Sequence, residues 1–157
     1  GSPNMEYLLA NAERFQKSIG AERVNEKIAT AFDLQLTNMI TGRDRQSGME
    51  AIDKVEKEME KYEFPSKSRL KLFVEIARVQ KSGDVEKLLQ VCEKNIPQIE
   101  HEHLLAMFFP LSLTIKRNGN EDQQQRILKL AKTLLAETTN DKFKFSLGQF
   151  IPYALEK

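Results

Sequence analysis

The 157 residues include one cysteine, no tryptophan, two histidines, seven glycines and five prolines. Each shortage removes a class of protein. A lone Cys92 closes no internal disulfide and completes neither a CxxC redox pair nor a cysteine-rich zinc cage. Few glycines and prolines mean few chain-breakers, so the regular elements should be long. No run approaches the roughly 18 uninterrupted apolar residues that a membrane span needs, so membrane insertion is not expected. Charge of one sign is missing as well: Lys plus Arg is 24 against 23 for Asp plus Glu, a net charge of +1. No overall field draws the chain onto phosphate backbones or anionic lipid, and nucleic acid is not expected as a partner. The charge gradient along the chain is mild, with 9 basic and 12 acidic groups over 1–64 and 15 and 11 over 65–157.

What is present points to a folded, soluble domain. With 40% hydrophobic and 30% charged residues, a chain of this length takes roughly 68–70% of its unfolded surface out of water and needs no metal or disulfide to stand. Gly1-Ser2-Pro3-Asn4 ahead of Met5 reads as a cloning scar, leaving 5–157 as a single domain. Apolar residues recur at spacings of three and four almost throughout and alternation at two is scarce, which predicts an all-α chain of about eight helices.

The first predicted helix runs from about Asn4 to Ser18, with Leu8, Leu9, Ala12 and Phe15 on one stripe and Gly20 past its end. The second carries Val24, Ile28, Phe32, Leu36 and Met39 up to Gly42, and the third spans about Ser47 to Tyr62. Pro65 is placed in the first turn of a fourth helix ending at Lys81-Ser82-Gly83, and a fifth runs from Asp84 to Ile96 before Pro97. Glu100–Lys116 and Glu121–Glu137 form a further pair around Asn118-Gly119-Asn120. A last helix opens on Asn140 and should kink or end near residue 150, because the ring of Pro152 clashes with the carbonyl of Gly148. Pro110 should disturb its own helix at Ala106 in the same way.

Gly48, Gly83 and Gly119 lie 35 and 36 residues apart, each just ahead of a helix. With Ser82-Gly83-Asp84-Val85-Glu86-Lys87-Leu88-Leu89 as the best copy, this spacing resembles the helix-turn-helix repeat of the tetratricopeptide family. The resemblance implies stacked antiparallel hairpins, an α-solenoid, in a degenerate form: Leu88 and Gln124 stand where the family usually has a small residue. A second resemblance covers the first third. Asn11-Ala-Glu-Arg-Phe-Gln-Lys-Ser-Ile-Gly20-Ala-Glu-Arg-Val-Asn-Glu-Lys-Ile28, with Lys81-Ser-Gly-Asp84 downstream, is similar to the helical region carboxyl-terminal to the thioredoxin fold in some bacterial envelope proteins. It implies an accessory domain of a larger periplasmic or envelope protein, with the cytoplasm as the alternative. It carries no redox activity here, because no thioredoxin strands and no CxxC are present.

Candidate chemistry is sparse. Glu100-His101-Glu102-His103 holds both histidines and the only local run of metal-ligand types. On one helix His101 and His103 would point about 200° apart, so a single ion could not take both, and Glu100 and Glu102 suit a helix amino terminus instead. Cys92 shares a helix face with Leu88, Leu89 and Ile96 and should be buried and inert. No nucleophile triad and no glycine-rich phosphate loop can be found. The chain is therefore read as non-enzymatic and without cofactor or metal; a small enzyme or metal domain using Glu100 to His103 or Cys92, and a purely structural bundle, are the alternatives.

In a stacked-hairpin fold the first helix of each pair lines a concave face. Those positions fall at Leu70, Phe73, Ala77 and Lys81, and at Ala106, Phe109, Leu113 and Lys116, with Arg117 beside them. Phe73, Ala77, Lys81, Phe109, Leu113, Lys116 and Arg117 are thus the candidate binding residues for a protein or peptide partner, or for a tethered domain. The same phenylalanines equally suit an inter-helix core, and the same cations equally suit carbonyls at helix carboxyl ends. Repeats of this family that hold a peptide's terminal carboxylate carry Lys and Asn where Phe73 and Phe109 stand, so that ligand is not expected. Lys67, Arg69 and Lys71 crowd the first turn of a helix, where the dipole does not favour cations, and call for an acidic partner or a solvated face. Phe145 falls off the apolar stripe of the last helix and should be exposed.

Overall fold

Helices account for all the regular structure of the computed structural model, which describes residues 5–14, 20–44 and 48–157; among these there is no strand. In chain order they are α1 (Met5–Ala10), α2 (Ala21–Thr41), α3 (Met49–Glu60), α4 (Lys67–Ser82), α5 (Val85–Asn95), α6 (Phe108–Asn118), α7 (Glu121–Glu137) and α8 (Asp141–Phe150). Short 3₁₀ turns occupy Ile96–Gln98 and His101–His103, and a π turn, Ile151–Leu155, follows α8. The chain is all-α, and no described helix is long and apolar enough to cross a membrane.

Contacts divide the chain into two compact units, one up to Ala77 and one from Arg78. In the first, α2 packs against α1 and α3. Its stripe buries Val24, Ile28, Phe32, Leu36 and Met39, the residues that the period of 3.6 selects, and Gly42 ends it at a φ of 80° in the left-handed region that favours glycine. Phe32 meets the rings of Tyr62 and Phe64 at 6.3 and 6.2 Å. The crowded cations of α4 are largely engaged within this unit. Lys67 Nζ donates to the Tyr62 carbonyl at 2.8 Å and to Glu63 Oε1 at 3.0 Å. Arg69 Nη2 donates to Asp33 Oδ2 at 2.7 Å, while Lys71 is exposed. Pro65 lies in a turn ahead of α4 rather than in its first turn, and the helix begins at Lys67, two residues later than expected.

The second unit is organised by α7, which contacts α5, α6, α8 and the π turn. Its amino end is fixed by a capping box: Asn120 Oδ1 accepts from the Gln123 N–H at 2.8 Å, and Gln123 Oε1 accepts from the Asn120 N–H at 2.9 Å. Ile127, Leu130, Ala131 and Leu134 then face the core. Arg126 of α7 clasps α5. Its guanidinium donates to both oxygens of Glu86 at 2.6 and 2.9 Å and to Glu93 at 2.6 and 3.3 Å. Two carboxylates accepting from one cation hold that guanidinium's pKa above its ordinary value.

Residues 12–14 are helical beyond α1, but the rest of the first predicted helix, Phe15 included, lies outside the described residues. The helix expected over Glu100–Lys116 is interrupted: the 3₁₀ turn at His101–His103 passes into turns, and α6 begins only at Phe108. This places Pro110 in the first turn of α6, where its missing N–H costs no intrahelical bond, so it disturbs nothing at Ala106, which precedes the helix. Pro152 acts as expected: α8 ends at Phe150 and the backbone widens, with the Glu156 N–H donating to the Ile151 carbonyl at 2.9 Å, five residues back.

The three evenly spaced glycines serve different local ends. Gly83 has a φ of +75°, which favours glycine, whereas a Cβ on Gly119 would lie 2.6 Å from the Ile115 carbonyl oxygen. Gly48 caps α3 in an extended conformation with open space around it.

Candidate functional site

The last helix begins where two turns are tied together. Asn140 Oδ1 accepts from the Phe143 N–H at 2.9 Å, and the Asn140 N–H donates to the buried Thr138 hydroxyl at 3.2 Å. That hydroxyl lies 2.7 Å from His101 Nδ1 on the 3₁₀ turn. Once α8 is started in this way, the period of 3.6 decides what each phenylalanine does. Phe143 and Leu147 turn inward, while Phe145, two residues from Phe143, stands 69% exposed as its place off the apolar stripe predicts.

Phe143 is the centre of an aromatic cluster. Its ring meets His101 at 5.3 Å, Phe108 at 5.9 Å and Phe109 at 5.9 Å, and Phe109 in turn meets Phe150 edge-on at 5.0 Å. Such tilted and edge-to-face pairs add to what burial alone contributes. The cluster reaches the surface through Phe109 and Phe150, both half-buried. There a groove of about 530 Å³ opens, walled by Leu105 and Phe109 on one side and by Phe145, Gln149, Phe150 and Tyr153 on the other. Tyr153 is 74% exposed, and Lys157 Nζ lies 4.5 Å from the centre of its ring. Five of the groove's seven lining residues are large and apolar or aromatic, Ser146 and Gln149 being the other two.

The other candidates do not line this groove. Phe73 and Ala77 are each 1% exposed, inside the first unit's core, with the Arg69 guanidinium 5.8 Å from the Phe73 ring centre. Lys81 is half-buried near the end of α4. Leu113 and Lys116 are half-buried on α6, Lys116 bordering a second hollow with Glu121, Gln124, Leu155 and Lys157, and Arg117 is exposed. Of the seven expected binding residues, Phe109 alone lines the aromatic groove.

A third hollow, of about 540 Å³, lies beside the two turns and is lined by Ile99, Glu100, His101, Glu102 and Asn140 among others. The two histidines part company here. His101 is engaged by Thr138 and Phe143. His103 Nε2 lies 3.4 Å from Glu102 and 4.0 Å from Glu100, and these three side chains could offer ligand atoms within 4.8 Å of one another. Both carboxylates are exposed, an arrangement that surface acids commonly adopt without an ion.

Cys92 is fully buried, and burial, followed by the nearby Glu93 charge, pushes its thiol up to about 12. Two results should follow. At pH 8 a thiol reagent should modify Cys92 in the native protein slowly, at the rate of opening, and in denaturant fast; comparable rates would contradict the buried thiol. The sign for stability is also set: the raised value favours the protonated fold, so this contribution is complete below about pH 9 and is lost as pH climbs towards about 12. Cys92→Ala should flatten that alkaline loss in a series of urea melts.

Comparison with family models, with curated proteins and with solved structures finds no match for this chain.

Proposed function

We propose that this chain is a non-catalytic helical interaction domain that binds a protein partner through the aromatic groove between the start of α6 and α8. The observation that carries the reading is the exposure of Phe145 and Tyr153 beside Leu105 and Phe109. A large ring left in water on a rigid helix forgoes about 1.5–3 kcal/mol of burial. Adjacent exposed apolar side chains around a hollow mark places where a partner completes that burial.

The proposal extends to tetratricopeptide-like stacking and to a role beside a thioredoxin-like domain in the bacterial envelope. These rest on the spacing of Gly48, Gly83 and Gly119 and on the Asn11–Ile28 resemblance. The alternative, a metal domain at Glu100, Glu102 and His103, is favoured by the proximity of their ligand atoms.

Anilinonaphthalenesulfonate, an apolar fluorescent anion, tests the groove. Its fluorescence should rise with the parent chain and fall to background with Phe145→Asp, while Met49→Asp, at an exposed apolar residue of the other unit, leaves it unchanged. Equal signals from both variants would remove the groove as the binding surface. Melting with and without Zn²⁺ tests the alternative: a rise in melting temperature that Glu102→Gln abolishes would establish a metal site and displace the interaction reading.

A further inference from the structure

The turn between α6 and α7 reads Asn118-Gly119-Asn120, and of the chain's asparagines only Asn118 is followed by glycine. That pair has a chemistry of its own. Glycine carries no Cβ to shield its nitrogen or stiffen its backbone, so in an unfolded chain the Gly119 nitrogen can reach the side-chain carbonyl carbon of Asn118. In the fold both reactants are engaged elsewhere. The Gly119 N–H donates to the Ile115 carbonyl at 2.8 Å, and Asn118 Nδ2 donates to the Thr114 carbonyl at 3.1 Å, which draws the amide back one turn along α6. The far side of the turn is tied as well. Gln124 Nε2 donates to the Lys116 and Gly119 carbonyls at 3.1 and 3.2 Å, and the Asn120–Gln123 capping box starts α7. Asn118 itself is exposed, so water has access to it.

We infer that the α6–α7 turn is a site of spontaneous deamidation, closed by these native hydrogen bonds and opened when they break. In the open turn the Gly119 nitrogen bonds to Asn118 Cγ, the Cγ–Nδ2 bond breaks, and ammonia leaves with the proton of the Gly119 N–H. Water then opens the cyclic imide at either carbonyl. Opening at Cγ leaves aspartate; opening at the main-chain carbonyl leaves isoaspartate, with one more carbon in the backbone and a free carboxylate beside it. Neither product suits the fold. Each puts a negative charge at the carboxyl end of α6, where the dipole disfavours it, and removes the Nδ2 donor from the Thr114 carbonyl. The longer backbone also shifts Gly119 and Asn120 against α7, in a turn where even a Cβ on Gly119 would lie 2.6 Å from the Ile115 oxygen and 3.0 Å from Gln123 Cβ. Because α7 contacts α5, α6 and α8, a modified turn loosens the helix on which the second unit is organised.

Mass spectrometry reads the site, because trypsin cuts after Arg117 and Arg126 and releases Asn118–Arg126 as one peptide. During incubation at pH 8 that peptide should gain the mass of an amide-to-acid exchange at Asn118, at least about tenfold faster in guanidinium chloride than in the native protein. Asn118→Gln, whose longer side chain closes the ring far more slowly, should abolish the gain. Equal rates in the two conditions, no gain at Asn118 in guanidinium chloride, or a gain confined to Asn120 would overturn the inference. The consequence for the fold is read on product made in guanidinium chloride, separated by its extra negative charge and refolded. Its isoaspartate form should melt at least about 3 °C below the unreacted fraction from the same column, and below Asn118→Asp, which carries the charge without the added carbon. Failure to refold where Asn118→Gln refolds would support the inference equally. A product that melts with the unreacted fraction, or with Asn118→Asp, would overturn the claim that the longer backbone disrupts the turn.

Discussion

Phe143→Ala should cost about 3–5 kcal/mol, among the largest losses expected of a single side chain in the second unit. Its ring is fully buried and touches the rings of His101, Phe108 and Phe109, so truncation removes transfer energy and opens a cavity whose walls are held by two turns and two helices. Against a typical total of about 5–15 kcal/mol, a loss of that size removes a large share of the stability. Urea unfolding followed by circular dichroism gives the number. Phe145→Ala is the internal control: same residue type, same helix, two positions on, exposed, and expected to change stability by less than about 0.5 kcal/mol. Equal effects from the two would mean that α8 is rotated about its axis relative to the structure described above.

Arg126→Met should cost about 2 kcal/mol, more than the roughly 0–1 kcal/mol of an ordinary surface pair. The difference lies in geometry. One half-buried guanidinium is bidentate to Glu86 and also grips Glu93, so α5 and α7 are joined at two points by charge-assisted bonds. Removing the cation leaves two carboxylates facing each other across the place it held. Methionine keeps most of the volume and packing, which isolates the electrostatic part. Denaturation with added NaCl separates the causes: at about 1 M salt, where screening acts within about 3 Å, the deficit should shrink markedly if repulsion between Glu86 and Glu93 drives it. Glu86→Gln in the Arg126→Met background should recover part of the loss, and a double-mutant cycle that shows no coupling would contradict the clasp.

The parts of this protein legible in its sequence are those decided within a few neighbouring residues. The bounds of α2 and α7, the Asn120 and Asn140 caps and the change of helix at Pro152 follow from periodicity, side-chain capping and a missing N–H. The exposure of Phe145 follows from its angle on the helix. The stretch over 100–116 was not legible, because apolar residues from Leu104 to Leu113 fall all round a helical wheel. Such a run satisfies a helix and a string of turns alike, and the start of α6 was set by where Pro110 could sit at no cost. Arg126 gave no local sign, since Glu86 and Glu93 are 40 and 33 residues away and any exposed arginine in a charged helix reads the same. For Phe73 and Phe109 the sequence offered a binding face or a core; the fold buries the first and brings the second to a surface.

An all-helical chain with its caps and breakers was determined by residue order alone, because hydrogen bonding and the 3.6-residue period act over one or two turns. Which apolar side chains stayed in water, and which charges met, was decided only when helices far apart in the chain came together. Burial and ion pairing depend on the distance between elements, a quantity that no window of sequence contains.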